Sequence, residues 1–148
     1  MIEQTIMANE FDKLATLHFG FLEKDFGFSL KRITSDSYRA ESSRAIIHIY
    51  LEYGVNLVVE IESAGETASQ LRQQNIIPEA ITVLSICRYY DPKLKVMDEP
   101  NSKYDIRLEI ERQAVLLKKH CQKMLMGDFS DWLEIKKYLR QQTYHVSD

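Results

Sequence analysis

Between Ala45 and Glu62 the chain alternates apolar and polar residues with a period of two. Ala45, Ile47, Ile49, Leu51 and Tyr53 occupy alternate positions, and after Gly54 the pattern resumes through Val55, Leu57, Val59 and Ile61. Successive side chains of a strand point to opposite faces, so the run predicts a two-stranded hairpin with one apolar face. Its strands are Arg44 to Glu52 and Val55 to Glu62, and Tyr53-Gly54 is the turn. An antiparallel sheet with one dry face needs a second layer to cover it, and the flanking segments read as helices.

Two shorter strands precede the hairpin, Phe28 to Ile33 and Tyr38 to Glu41, separated by the turn-forming Thr34-Ser35-Asp36-Ser37. Ser42-Ser43 is the next turn. Four consecutive strands joined by short turns predict a meander, antiparallel by construction. Ahead of it, Asn9 to Asp25 reads as a helix whose apolar stripe is Phe11, Leu14, His18, Phe21 and Leu22. Asn9 is its expected N-cap and Gly27 its end.

After the meander, Ser63 to Gln74 is polar, contains Gly65 and reads as a loop with room for a short helical turn. Pro78 suits the first turn of a helix carrying Ala80, Ile81, Leu84 and Cys87. The β-branched residues between Ile81 and Ile86 fit a fifth strand as well, and the sequence leaves both alternatives open. Asp91 to Ser102 reads as a loop. The longest helix is expected from Tyr104 to Met126, with Ile106, Ile110, Ala114, Leu117, Cys121 and Leu125 as its stripe. Gly127 caps it, Asp128 or Ser130 starts a last helix, and Phe129, Trp132, Leu133 and Leu139 form that helix's buried side. The expected fold is therefore α+β: an N-terminal helix, a four-stranded antiparallel meander, then about three C-terminal helices. At 148 residues the whole chain, 1–148, is expected to be a single domain.

Charge and motifs narrow the function classes. The net charge is -3, from 22 acidic and 19 basic residues, which argues against non-specific nucleic-acid binding. No stretch approaches the ~20 apolar residues of a membrane helix, and Met1 to Thr5 lacks the start of a signal peptide, so a cytoplasmic protein is expected. Cys87 and Cys121 lie in apolar helical patterns and read as buried free thiols. His18, His48, His120 and His145 include no pair at helical ligand spacing, and no phosphate-binding glycine loop, dinucleotide fingerprint or serine elbow is present. Neither cofactor, metal site nor catalytic residue is expected.

The polar face of the hairpin stands out. It carries Ile46, His48, Tyr50, Glu52, Asn56, Val58, Glu60 and Glu62, an apolar centre rimmed by charge. Such patches mark binding sites when bare. The alternative is that another element, for example the final helix, covers them. His48, Tyr50, Glu52, Glu60 and Glu62 are the candidate binding residues. Arg39 and Arg44 are placed to pair with the glutamates across strands.

Two further segments carry a resemblance. Leu116-Leu117 through Met124-Leu125, followed by Gly127-Asp128-Phe129-Ser130-Asp131-Trp132, is similar to the C-terminal end of a group of small bacterial proteins. The Phe26-Gly27-Phe28 entry into the first strand is similar too. Some of that group are regarded as immunity-like partners of secreted toxins. The resemblance implies a small cytoplasmic α+β protein that works by binding another protein, and no catalytic residues. Three functions follow as expectations. The first is a non-enzymatic inhibitor that occludes a toxin. The second is a dimeric secretion-type chaperone, and the third a small enzyme using Cys87 or the hairpin glutamates.

Overall fold

The computed structural model describes the backbone of residues 8–94 and 105–147 and the side chains of residues 9–94 and 105–142. The elements run α1 (Ala8–Phe19), α2 (Phe21–Phe26), β1 (Ser29–Thr34), β2 (Ser37–Glu41), β3 (Ala45–Glu52) and β4 (Asn56–Ser63). They continue with α3 (Gly65–Gln73), β5 (Ile81–Thr82), α4 (Val83–Tyr90), α5 (Ile106–His120), α6 (Gln122–Leu125) and α7 (Trp132–Ser147). The class is the expected α+β, but the antiparallel sheet has five strands in the order β1-β2-β3-β4-β5.

The four-stranded meander forms as the alternation dictates, with β5 added on the free side of β4 through Glu60↔Thr82 and Ile61↔Ile81. The segment that fitted both a helix and a strand is both. Ile81–Thr82 is extended, and Thr82 then caps α4, its hydroxyl accepting from the Ser85 N–H at 3.3 Å. Beyond Thr82 the apolar spacing becomes helical, with Val83, Ile86 and Cys87 buried. Pro78 therefore lies in an irregular segment ahead of β5, not in a helix.

Other boundaries also move. The N-terminal helix breaks at Gly20, whose carbonyl accepts from both Glu23 and Lys24. The buried stripe is Phe11, Ala15, Phe19 and Leu22, and His18 is half-exposed. Tyr53 and Gly54 take φ of 57 and 73, and Tyr53 points into solvent instead of extending the apolar face. The polar stretch expected as a loop is helix α3, burying Thr67, Ala68 and Leu71. Gly65 makes that start workable: its φ is +57, and a Cβ there would lie 2.6 Å from the Ser43 carbonyl oxygen.

The expected long helix also divides. It ends at His120, and Cys121 leads into the single turn α6, so α7 is the longest described helix. The apolar stripe from Ile106 to Leu125 is nonetheless buried throughout. Five helical segments follow β4 among the described residues, where about three helices were expected. Residues 95–102 of the expected loop and the expected helix start at Tyr104 lie outside the described residues.

The helices cover one face of the sheet. The inner rows are Leu30, Ala40, Ile47, Ile61 and Ile81, and Tyr38, Ile49 and Val59. They join Phe11, Ile86, Ile110, Leu117 and Trp132 in one apolar core. Phe11 of α1 meets Tyr38 of β2 edge-to-face at 5.8 Å. A buried polar clamp ties α5 to β4. Gln113 donates to the Leu57 carbonyl at 3.2 Å and to Glu109 at 2.8 Å, and Arg112 grips the Glu109 carboxylate with two bonds. No helix among the described residues is long and apolar enough to cross a membrane.

Candidate functional site

The register of the sheet assembles the outer face row by row. Lys31, Arg39, His48, Glu60 and Thr82 stand in line across all five strands. On one side of that row lie Ser29, Glu41, Ile46 and Glu62. On the other lie Ser37, Tyr50 and Val58. All eight residues from the hairpin's polar face are intermediate or exposed, so among the described residues no element buries this face. The final helix packs elsewhere: Trp132 of α7 is fully buried, with Phe129 at 4.9 Å.

The candidate residues meet through diagonals. His48 faces Glu60 across the strand pair, but its Nε2 lies 2.8 Å from Glu62 Oε1, two positions further along β4. Tyr50 faces Val58 and leans the same way, toward Glu60. Partial burial pushes the Tyr50 phenol up from its ordinary value, and the negative charges of Glu60 and Glu52 push it further. Four of the five candidates, His48, Tyr50, Glu60 and Glu62, thus form one connected patch. Glu52 sits at the exposed end of β3 and reaches Tyr50 only through its field.

Arg39 does not make the cross-strand pair expected of it. It lies opposite His48, and no carboxylate stands within ion-pair distance of it among the described residues. Arg44 turns away from the hairpin, donates to the Met126 carbonyl at 3.4 Å and packs on Gly127. The glutamates are instead engaged by His48 and Tyr50. A small cleft of 200 Å³ opens on this face, lined by Ile33, Ser37, Tyr38, Arg39, His48, Tyr50, Glu60 and Ala80. Ile33, Ser37 and Ala80 were not anticipated as site residues, because only strand register brings them to the hairpin.

Charge is distributed unevenly across the face. Lys31 and Arg39 outweigh Glu41 and make the β1–β2 side weakly basic, while Glu52, Glu60 and Glu62 make the β3–β4 side acidic. The outer edge of β1 is shielded from strand addition. Its Leu30 N–H donates to the Glu23 carboxylate at 3.0 Å, its register breaks between Arg32 and Thr34, and it carries Lys31 and Arg32.

The alternative nucleophiles are placed differently. Cys87 and Cys121 are both fully buried, and the Cys87 thiol donates to the Leu116 carbonyl at 3.9 Å. Its hydrogen bond with Cys87, and then burial, push the Cys121 thiol well up. Ser37, the hydroxyl in the outer cleft, is bonded to Thr34 at 2.7 Å. Among the described residues no group of three or more His, Cys, Asp or Glu side chains is placed to hold a metal ion. No protein-family model, curated protein or solved structure matches this chain.

Proposed function

We propose that this protein is a binding module that presents the outer face of its sheet to another protein and acts by occlusion, as an immunity-type inhibitor of a toxin does. The observation that carries this reading is the asymmetry of the sheet. One face is sealed by helices, whereas the other keeps Ile46, Tyr50 and Val58 accessible within a frame of charges. Tyrosine and apolar residues ringed by charge are the composition of an interface centre and its rim. Glu52, Glu60 and Glu62 steer a partner with a basic surface, and Arg39 fixes its orientation. Burial of both thiols weighs against the cysteine enzyme.

The test is capture by the tagged protein compared with a Tyr50→Ala/Glu60→Lys/Glu62→Lys variant. A stoichiometric protein retained by the parent and lost by the variant, with salt-sensitive association, is the expected result. Equal retention by both overturns the assignment of this face.

The charge polarity favours a dimer as the second reading. A twofold axis parallel to the strands sets the basic β1–β2 side of one copy against the acidic β3–β4 side of the other. Light scattering separates the two readings. A dimer that dissociates in the same triple variant supports self-association, as a chaperone of the secretion type requires, and a monomer supports the inhibitor.

A further inference from the structure

A second cleft lies at the β5 edge of the sheet, beside the outer face, where α7 crosses the segment leading into β5. It measures 430 Å³, within the range of small-molecule sites. Ile77, Ala80 and Ile81 supply an apolar wall, Thr82 and Ser85 contribute hydroxyls, and Lys136 and Arg140 reach in from α7. The two cations are four residues apart and share one side of the helix. Ile77 forms the lip and is 66% exposed, an apolar side chain with nothing over it among the described residues.

The two cations are held differently. Lys136 is almost enclosed, its side chain 11% exposed, and its ammonium is anchored by the Ile77 carbonyl and Glu79, both at 2.9 Å. One N–H donates to the carbonyl and the carboxylate balances the ammonium's charge, which leaves a donor to spare. Arg140 is exposed and has no ion-pair partner among the described residues, so its planar fork of donors is available. Against Glu79, Lys136 and Arg140 leave one net positive charge in the cleft. A single excess charge beside an apolar wall matches a monoanion with an apolar body better than a polyanion or a cation.

We infer that this cleft binds a small organic acid, its carboxylate held by Arg140 with the spare Lys136 donor and its apolar body laid on Ile77, Ala80 and Ile81. Ala80 and Thr82 border both sites, but His48, Tyr50, Glu60 and Glu62 take no part in this one, so variants at Lys136 and Arg140 test it separately from the outer face. A reporter is built in. Trp132, the chain's single tryptophan, donates its indole N–H to the Glu79 carbonyl at 3.2 Å, on the segment that walls the cleft.

The experiment titrates the full chain with octanoate and with 4-phenylbutyrate, following Trp132 emission and heat of binding, with octanol and octylamine as controls. Saturable 1:1 binding of at least one acid is expected, weakened about tenfold when the carboxylate is replaced by an alcohol or an amine. Arg140→Gln, a change at an exposed position, is expected to weaken the acid about tenfold and leave octanol unaffected. Lys136→Met checks the second cation. Acid and alcohol binding equally, Arg140→Gln binding the acid as the parent does, or neither acid saturating below roughly 10 mM overturns the inference.

Discussion

The two faces of the sheet are built from the same strands yet obey different rules. Ile47, Ile49 and Ile61 point inward and are fully buried under the helices. Their immediate neighbours His48, Tyr50, Glu60 and Glu62 point outward, stay partly exposed and pair along diagonals, His48 with Glu62 and Tyr50 with Glu60. On the inner face free energy comes from area removed from water, about 25 cal/mol per Å² of apolar surface. On the outer face the pairs are wet, and exposed ion pairs contribute roughly 0–1 kcal/mol. Stability is thereby concentrated on one face, and the other is free to change with little effect on folding.

Cutting the inner face is the strongest test of this division. Ile47→Ala is expected to lower unfolding free energy by about 2–5 kcal/mol, whereas Val58→Ala on the outer face costs less than about 1 kcal/mol. Denaturant titration of both variants reads the contrast, and equal losses would dissolve it. Next in size is the clamp between the layers. Gln113→Leu leaves the Leu57 carbonyl unpaired and removes one donor from buried Glu109, with an expected loss of about 1–3 kcal/mol in the same titration. A loss below about 0.5 kcal/mol would show that packing alone holds α5 to β4.

A smaller effect distinguishes the helical layer by pH. Tyr90 and Lys123 both donate to Asp131, which holds its carboxyl below the ordinary value. A carboxylate whose folded pKa is lowered contributes stability above the ordinary carboxylate pKa and loses it as pH falls through the lower, folded value. Asp131→Asn is therefore expected to lower stability at pH 7 and to flatten the acid limb, variant and parent converging as pH falls through the folded Asp131 value. A parallel acid limb in variant and parent would remove Asp131 from that role.

The smallest effect belongs to the outer face. Tyr50 should ionise above the ordinary phenol range in an ultraviolet titration, and Glu60→Gln should lower that value only partway, because burial is the larger cause. A full return to the ordinary value would mean that charge, not partial burial, governs the patch.

Much of this arrangement was readable along the chain because it depends on local period. The β3–β4 hairpin, the buried stripe from Ile106 to Leu125 and the core placement of Trp132 rest on spacing within one segment. Features depending on partners far away were not readable. Leu14 and His18 fit the helical period as well as Ala15 and Phe19 do, and which pair turns inward depends on the distant elements α1 packs against, such as Tyr38 of β2 beside Phe11. The α3 segment is too polar to announce itself as a helix, and its position depends on contact between Gly65 and Ser43, 22 positions earlier.

The candidate site divides along the same line. His48, Tyr50, Glu60 and Glu62 were identified together because alternation alone sends them to one face. Arg39 was recognised, but its lack of a carboxylate partner depends on the diagonal lean that gives Glu62 to His48 and Glu60 to Tyr50. Which residues share a face follows from the chain alone, since side-chain direction is set by backbone period. Tertiary structure decided which face the helices cover, that Ile81–Thr82 joins the sheet before α4 begins, and that Lys136 and Arg140 meet Ile77 across a cleft. Those outcomes depend on how layers pack and on register between distant segments, neither of which a local pattern specifies.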